Sequence, residues 1–145
     1  MSQKGFTLIE LLIVISIFVI LFAIVGTLSR SALPSSQIKV EADVIEMMLR
    51  KAQARTVSQH ANSVWGAHFT STQATLFAGS DYASRDISYD EVHELPSAVV
   101  LSGLSDVVFQ FRTGETSNTG TITLTHNATG QTRMLTINTV GLVEQ

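Results

Sequence analysis

Residues 4–10 read Lys-Gly-Phe-Thr-Leu-Ile-Glu, and an apolar run follows them without a break. Glu10 is the one charged side chain between residues 6 and 28. At about 1.5 Å per residue, a helix over residues 6–28 would be roughly 34 Å long, which is enough to cross a hydrocarbon core of about 30 Å. We therefore predict a membrane-spanning helix there. A carboxylate so close to the start of a spanning helix is costly in lipid, so we expect Glu10 to have a partner or a task.

Two general classes of N-terminal segment explain part of this pattern. A plain signal anchor has the apolar run but has no use for Glu10. A secretory signal peptide needs a basic start, a short apolar core and a small-residue cleavage site, for which Ser29 and Ser31 before Ala32 could serve. However, Glu10 stands where the apolar core of a signal peptide should begin, and the apolar run is longer than such a signal needs.

A third interpretation comes from a family resemblance. Residues 5–10, Gly-Phe-Thr-Leu-Ile-Glu, resemble the cleavage and methylation motif of type IV prepilins and type II secretion pseudopilins. The resemblance implies that a prepilin peptidase cuts after Gly5 on the cytoplasmic face and that Phe6 becomes the N-methylated first residue. It also implies that Glu10, then the fifth mature residue, acts in assembly. Residues 1–5 would be a cleaved leader, and residues 6–28 would form a transmembrane and filament-core helix.

The composition leaves room for one modest domain beyond this segment, in a chain of 145 residues with a net charge of −3. Cysteine is absent, so an exported domain would be held by its core alone, without disulfides or a cysteine-based metal site. Past residue 60 the lysine and arginine residues are Arg85, Arg112 and Arg133. DNA binding needs a clustered basic surface, so we do not expect nucleic acid as a partner.

Residues 29–60 read as an amphipathic continuation of the helix, with a kink or break near Pro34. Within residues 37–60, apolar or small side chains recur at spacings of three and four, which predicts a helix that lays one face on a sheet. This stripe consists of Ile38, Ala42, Ile45, Leu49, Ala52 and Thr56. Met47 and Met48 are predicted to fill the core or a groove.

Residues 61–145 read as a β-rich globular domain, because short alternating segments are separated by polar turns. The predicted strands cover residues 64–69, 74–78, 87–92, 99–101, 107–111, 121–125, 134–137 and 142–143. The first two are expected to form a hairpin. The predicted fold class is therefore α+β, with a long N-terminal helix packed on one or two small antiparallel sheets, as in pilins.

The C-terminal half carries a second resemblance. Phe109, Phe111, Arg112 and Gly114, residues 120–124, and the pattern of Arg133, Leu135, Ile137 and Gly141 resemble the ending of the GspH/FimT branch. This branch comprises the minor pseudopilin H of type II secretion and related minor pilins. The resemblance implies other pilin or pseudopilin subunits, a prepilin peptidase and an inner-membrane assembly platform as partners. It also implies a single-pass inner-membrane protein with its globular domain outside the cytoplasm, and a pilus or pseudopilus location after assembly.

The sequence shows no pattern for catalysis or for a cofactor. The histidines lack paired metal-ligand spacing, and neither a nucleophile elbow nor a phosphate-binding glycine loop is present. We therefore expect no catalytic residues, no metal, no cofactor and no enzyme activity. The histidines are His60, His68, His93 and His126.

Four acidic residues lie close together in the region of residues 81–91. Calcium is conceivable there, because oxygen-rich loops bind it and some pseudopilins use it. The spacing of an EF-hand is missing, so the sequence favours a solvated acidic loop. The residues concerned are Asp81, Asp86, Asp90 and Glu91.

The two function hypotheses belong to different classes. The first is a minor pilin or pseudopilin, a structural subunit of a type II secretion pseudopilus or a type IV pilus. The second is a membrane-tethered, exported β-rich binding domain, with a DNA-uptake minor pilin as one variant, that forms no filaments. The sequence alone does not separate secretion, pilus and competence systems.

The first prediction concerns processing. We expect the chain made together with its cognate peptidase to begin at N-methylated Phe6, and Gly5→Val to leave the full-length form. Gly5 has no Cβ, so the backbone there can approach a peptidase site closely, whereas valine would obstruct it. Intact-mass analysis measures both outcomes. A mature chain that starts near Ala32 would instead establish the secretory signal peptide.

Overall fold

The computed structural model describes the backbone of residues 7–141 and 143–144, and the side chains of residues 7–22 and 36–141. The predicted site residues Gly5 and Phe6 lie outside the described residues. The elements in chain order are α1 (Leu8–Val57), a short 3-10 helix (His60–Asn62), β1 (Trp65–Phe69), β2 (Gln73–Ala78), β3 (Asp86–Glu94), β4 (Val99–Gly103), β5 (Asp106–Val108), β6 (Gly120–His126), β7 (Thr132–Ile137) and β8 (Val143–Glu144).

The chain divides after Ser35 into two units. In the first unit, the described side chains of residues 8–22 are all exposed, although nearly all of them are apolar. In the part of the chain that the structure describes, no helix is long and apolar enough to cross a membrane. The predicted span of residues 6–28 includes Phe6 and the side chains of residues 23–28, which lie outside that part, so the span stays a prediction.

The helix passes the proline at which the sequence predicts a kink or a break. Pro34 lies inside the bounds of α1, so the helix does not end there. A proline inside a helix lacks the N–H for one backbone hydrogen bond, and its ring favours a kink without requiring the helix to stop. A kink at Pro34 stays a prediction.

In the second unit, the predicted stripe of α1 forms the helical side of the core. The apolar residues Ile38, Ala42, Ile45, Leu49 and Ala52 are each at most 3% exposed. Met48 packs partly buried against this core, but Met47 is 63% exposed. The prediction of a core position was therefore wrong for Met47. Position 47 is rotated by about 200° from position 45, which places Met47 on the opposite side of the helix.

The end of α1 is fixed by a polar residue of the stripe. The Thr56 hydroxyl donates a hydrogen bond to the Ala52 carbonyl at 3.0 Å and accepts the Trp65 backbone N–H at 2.8 Å. This links the last turn of the helix to the first residue of β1. The helix stops at Val57, earlier than the predicted residue 60, because the backbone then enters left-handed conformations at Gln59 and Ala61.

The strands form two antiparallel sheets, which confirms the predicted α+β class. The first sheet has the order β3-β2-β1-β5 and the second β4-β6-β7-β8. The predicted hairpin is confirmed, because β1 pairs with β2 from Trp65 opposite Ala78 to Phe69 opposite Ala74. Side chains from both sheets join the helical stripe in one core, with Trp65, Leu76, Val99, Ile122, Leu124 and Leu135 among the most buried.

One predicted strand is shorter than expected. The sequence predicts a core strand over residues 107–111, whereas β5 is Asp106–Val108 and Phe111 lies in a turn. At this edge of the sheet, side chains take the place of a neighbouring strand for the backbone groups of Val108. Asn118 Oδ1 accepts the Val108 N–H, and the Thr116 hydroxyl donates to the Val108 carbonyl. Beyond β5, Phe109 forms an isolated antiparallel bridge with Thr116, and the Gln110 N–H donates to the Glu115 carbonyl.

A glutamine of α1 joins two glycine turns. Gln53 Nε2 donates hydrogen bonds to the Gly114 carbonyl at 2.9 Å and to the Val140 carbonyl at 3.0 Å. Gly141 has a φ of +77°, and a Cβ there would lie 2.6 Å from Gln53 Nε2 and 2.8 Å from the Gly114 carbonyl oxygen. The turn therefore requires glycine both for its backbone conformation and for the space that Gln53 occupies.

The second prediction compares two glycines in left-handed conformations. Gly130 has a φ of +67°, but a Cβ there would meet only open space, so Gly130→Ala should cost only the left-handed backbone energy, about 1–2 kcal/mol. Gly141→Ala should cost a further 1–3 kcal/mol or so, because the new methyl group displaces Gln53. Urea unfolding of the full chain in detergent, followed through the fluorescence of Trp65, measures both. Equal losses for the two variants would contradict the close packing at Gly141.

Candidate functional site

Glu10 is held at the start of α1 by Thr7, the residue before the helix. The Thr7 backbone N–H and hydroxyl each donate a hydrogen bond to Glu10 Oε2 at 3.1 Å, and the Glu10 backbone N–H donates to the Thr7 hydroxyl oxygen at 3.4 Å. This reciprocal arrangement is a capping box, which satisfies backbone N–H groups that have no partner within the helix. It also places a negative charge at the positive end of the helix dipole.

The capping box was not predicted, although the pattern Thr-x-x-Glu at residues 7–10 is its signature. Glu10 therefore has a local partner within its own chain. Among the described residues, both Thr7 bonds go to Oε2, and Oε1 accepts no hydrogen bond from them. The roles of Gly5 and Phe6 in processing, and that of Glu10 in assembly, stay predictions.

The four acidic side chains of the region around residues 81–91 have four separate sets of partners. Asp81 accepts hydrogen bonds from Ser84, Asp86 from Ser88, Asp90 from Arg85, and Glu91 from Lys51 and Arg55. In the described part of the chain, no three histidine or acidic side chains gather in a way that could hold a metal ion. The carboxylates that suggested calcium therefore do not converge on one point there.

Charged side chains connect β3 to α1. Glu91 accepts hydrogen bonds from Lys51 and, at 2.6 Å, from Arg55. His93 Nε2 lies 2.8 Å from a carboxylate oxygen of Glu41, a residue that is only 8% exposed. The hydrogen bond from Lys51, reinforced by Arg55, holds the pKa of Glu91 below its usual value. The face of β3 that meets the helix is thus attached by the ion pairs of Glu91 and by the contact between His93 and Glu41.

The outer face of the first sheet carries a groove with a volume of about 720 Å³. Residues 80–83 form one wall, and Asp106, Gln110, Ser117 and Asn118 are among the residues that line the remainder. His68 on β1 lies in this groove, with its Nδ1 2.7 Å from Asp106 Oδ1. Because β1 pairs with β5 in a register that sets His68 opposite Asp106, the sheet itself brings this pair together.

Tyr82 fixes the wall of the groove. Its ring stacks on His68 with 3.8 Å between the ring centroids and 13° between the planes, and the guanidinium carbon of Arg85 lies 3.7 Å from the Tyr82 centroid. Two groups that close to the centroid cannot share one face of the ring, so the Tyr82 ring lies between His68 and Arg85. Arg85 in turn donates to both carboxylate oxygens of Asp90. We call residues 79–85, which connect β2 to β3, the lid loop.

The His68–Asp106 pair has the geometry of two members of a hydrolytic triad, so a nucleophile must be considered. Catalysis of that type needs a hydroxyl within hydrogen-bond reach of the histidine. Ser80 and Ser117 line the groove, but the Ser80 hydroxyl donates to Asp81. Among the described residues, the hydrogen-bond partner of the His68 ring is Asp106. The arrangement therefore suits binding better than acyl transfer.

The groove and its pair of His68 and Asp106 were not predicted from the sequence. His68 and Asp106 are 38 residues apart, and only the strand register brings them together. The other histidines are distributed over different elements: His60 lies beside Trp65, His93 contacts Glu41, and His126 is buried at the end of β6.

The N-terminal residues match a known family model. Residues 1–26 match the model described as the prokaryotic N-terminal methylation motif, a range that includes Gly5, Phe6 and Glu10. This match supports the resemblance to type IV pilins and pseudopilins, whose members are structural subunits that interact with other pilins and with a prepilin peptidase. It does not extend into the β-rich part. No curated protein and no solved structure matches the chain.

The third prediction concerns pH and the contact between β3 and α1. A lowered pKa in the folded state means that Glu91 stabilises the fold above its usual value of 4.5 and loses this effect as the pH falls through the lowered value. At pH 7 and low salt, Glu91→Gln should lower the free energy of unfolding by about 0.5–1 kcal/mol. The difference from the unmodified chain should shrink towards zero well below pH 4.5.

Urea unfolding at several pH values measures this difference. Glu94→Gln is the matched control, because Glu94 lies on the same strand opposite Gln73 and should change stability little at any pH. A loss for Glu91→Gln that is the same at pH 7 and at low pH would contradict the ionic explanation.

Proposed function

We propose that this chain is a minor pilin or pseudopilin, a non-enzymatic subunit that joins a helical filament through its N-terminal helix. The observation that carries the proposal is the match of residues 1–26 to the N-terminal methylation motif. The position of Glu10 in the first turn of α1 is compatible with the role that the resemblance gives it. A prepilin peptidase would cleave after Gly5, and Phe6 would be methylated.

The apolar N-terminal segment would serve two successive environments. Before assembly, residues 6–28 would hold the subunit in the inner membrane, with the globular domain outside the cytoplasm. After extraction by the assembly platform, the same side chains would pack against neighbouring helices, so that protein contacts replace lipid contacts. The exposure of residues 8–22 supports this proposal, because a long run of exposed apolar side chains favours contact with lipid or with another protein surface.

Glu10 would act in both environments. In the single subunit, the capping box provides the carboxylate with hydrogen bonds and lowers the cost of its place near lipid. During docking, the positively charged amine of Phe6 in a neighbouring subunit would approach Glu10. A carboxylate accepts several hydrogen bonds, so the amine can bind Oε1 while Thr7 keeps Oε2. A charge-assisted pair of this kind is favourable in low dielectric only when both partners are present.

We place the chain in the GspH/FimT branch on the resemblance of its C-terminal half. Gly114 and Gly141 of that pattern lie at the two turns that Gln53 joins. Both have a positive φ, and a side chain at either position would crowd Gln53, so the structure requires glycine at both. The branch includes both minor pseudopilins of secretion systems and minor pilins, and the proposal covers either setting.

A membrane-tethered binding domain without a filament is the second candidate, and the groove on the first sheet favours it. The residues that line this groove include Asp81 and Asp106 but no lysine or arginine. Such a surface repels a phosphate backbone, so the DNA-uptake variant of this candidate is disfavoured.

The fourth prediction separates capping from docking at Glu10. Glu10→Gln can still accept the hydrogen bonds of the capping box but carries no charge, whereas Glu10→Leu loses both functions. If the amine of a neighbour pairs with Glu10, both variants should enter sheared filaments at least tenfold less than the unmodified subunit while remaining in the membrane. Glu10→Asp should be intermediate because of its shorter side chain. Quantitative immunoblots of membrane and filament fractions measure these ratios.

Thr7→Val is the matched control, because it removes the capping hydroxyl and leaves the charge of Glu10 in place. This variant should assemble nearly as well as the unmodified subunit. Normal incorporation of Glu10→Gln would contradict the charge pairing and leave capping as the role of Glu10. A subunit at the filament tip has no neighbour ahead of it, so immunogold labelling must establish the position of the subunit in the same experiment.

A further inference from the structure

The groove on the outer face of the first sheet has an acidic character that filament assembly through α1 does not use. The ionisable side chains among its lining residues are Asp81, Asp106, His68 and Tyr82. Arg85 lies on the lid loop but is already engaged, because its Nε binds both oxygens of Asp90 and its Nη1 donates to the Tyr82 carbonyl at 2.7 Å. The lining residues include no lysine or arginine, so the two aspartates give the groove its acidic character, with His68 bonded to Asp106.

Both aspartates are held in place. Asp81 accepts hydrogen bonds from the Ser84 backbone N–H at 2.9 Å and from the hydroxyls of Ser84 and Ser80. The bonds from Ser84 lower the pKa of Asp81, so this carboxyl group is ionised at neutral pH. Asp106 binds His68 through Oδ1 and is not bonded through Oδ2 within the described residues. Charges fixed in this way need little reorganisation when a ligand binds.

The groove also has apolar and amide surfaces. Val64, Val108 and Phe109 line it beside the carboxylates. Asn118 Oδ1 accepts the Val108 N–H, and among the described residues neither the NH₂ group of Asn118 nor the side-chain amide of Gln110, which also lines the groove, has a hydrogen bond. Methylene groups, a positive charge and a peptide backbone would each find a complementary surface here.

We propose that this groove binds a polypeptide segment of a partner protein through a lysine or arginine side chain. The aliphatic part of that side chain lies on the apolar residues, and its cation lies near Asp81 and Asp106. The free amides of Gln110 and Asn118 bind the backbone of the same segment. The proposal does not depend on filament assembly, because it rests on the β-rich part of the chain alone.

The size of the groove favours a peptide segment over a small amine. Its volume of about 720 Å³ falls in the range of sites that hold ligands of several hundred daltons, and a single side chain would fill only part of it. Because the carboxylates lie in an open groove, we expect modest affinity that weakens with added salt.

The fifth prediction is tested by NMR titration of the isotope-labelled full chain in nonionic detergent micelles. The probes are the blocked tripeptide acetyl-Gly-Arg-Gly-amide, the neutral acetyl-Gly-Gln-Gly-amide and the fragment propylguanidinium. The arginine peptide should shift the resonances of residues 80–83 and 106–110 and bind at least tenfold more tightly than the glutamine peptide. It should also bind at least threefold more tightly than propylguanidinium.

Three variants of equal charge change complete the test. Asp106→Asn and Asp81→Asn should each weaken binding of the arginine peptide at least fivefold. Asp86→Asn is the matched control, because Asp86 accepts hydrogen bonds from Ser88 much as Asp81 does from Ser84 but does not line the groove. It should leave binding unchanged. The emission spectrum of buried Trp65 verifies that each variant is folded, and Asp81→Asn still decides the question if Asp106→Asn unfolds.

Several outcomes would overturn the proposal. Equal binding of the arginine and glutamine peptides would show that the groove does not select a cation. Equal losses of affinity for the arginine peptide in Asp86→Asn and Asp106→Asn would show that binding depends only on the net charge of the protein. Binding of propylguanidinium as tight as that of the arginine peptide would identify a site for small amines instead of a polypeptide.

Discussion

The β-rich part of this chain depends on the burial of one narrow stripe of α1. The stripe from Ile38 to Thr56 contacts side chains of both sheets, and it ends in the Thr56 hydroxyl that receives the Trp65 N–H. Full burial of each large aliphatic or aromatic side chain in this core contributes about 1.5–3 kcal/mol. Polar residues next to the stripe then hold the neighbouring segments against the helix. Gln53 binds the turns at Gly114 and Val140, and Lys51 and Arg55 bind Glu91 of β3.

Much of this arrangement could be predicted from the sequence, because local periodicity reports local structure. The helical stripe and the alternation of β1, β2, β6 and β7 agree with the structure. Two predictions failed because residue type alone does not show which way a side chain points or where a strand ends. Met47 is apolar but lies on the side of α1 that faces away from the core. Phe111 continues the alternating pattern of β5, but the chain has already turned there.

The candidate sites also differ in how far they could be predicted from the sequence. The capping box of Thr7 and Glu10 is a local pattern and could have been predicted. The pair of His68 and Asp106 could not, because it exists only through the register of β1 with β5. The enclosure of the Tyr82 ring between His68 and Arg85 likewise depends on the path of the lid loop across the sheet. Contacts of this kind depend on the fold as a whole and leave no periodic signal in the chain.

The composition of β3 has a consequence for how copies of the chain behave when they are crowded. This nine-residue strand is the outer strand of its sheet, so one side of its backbone has no strand partner in the described part of the chain. An open strand edge is a template for aggregation, and natural proteins protect such edges with charges and irregular pairing. Four acidic residues occur in β3, and its pairing with β2 contains a register shift between Leu76 and Ala78. Asp90 and Glu91 are paired with basic side chains, so the protection of this edge would come mainly from Asp86, Glu94 and the irregular pairing, which disfavour β-sheet association between identical copies.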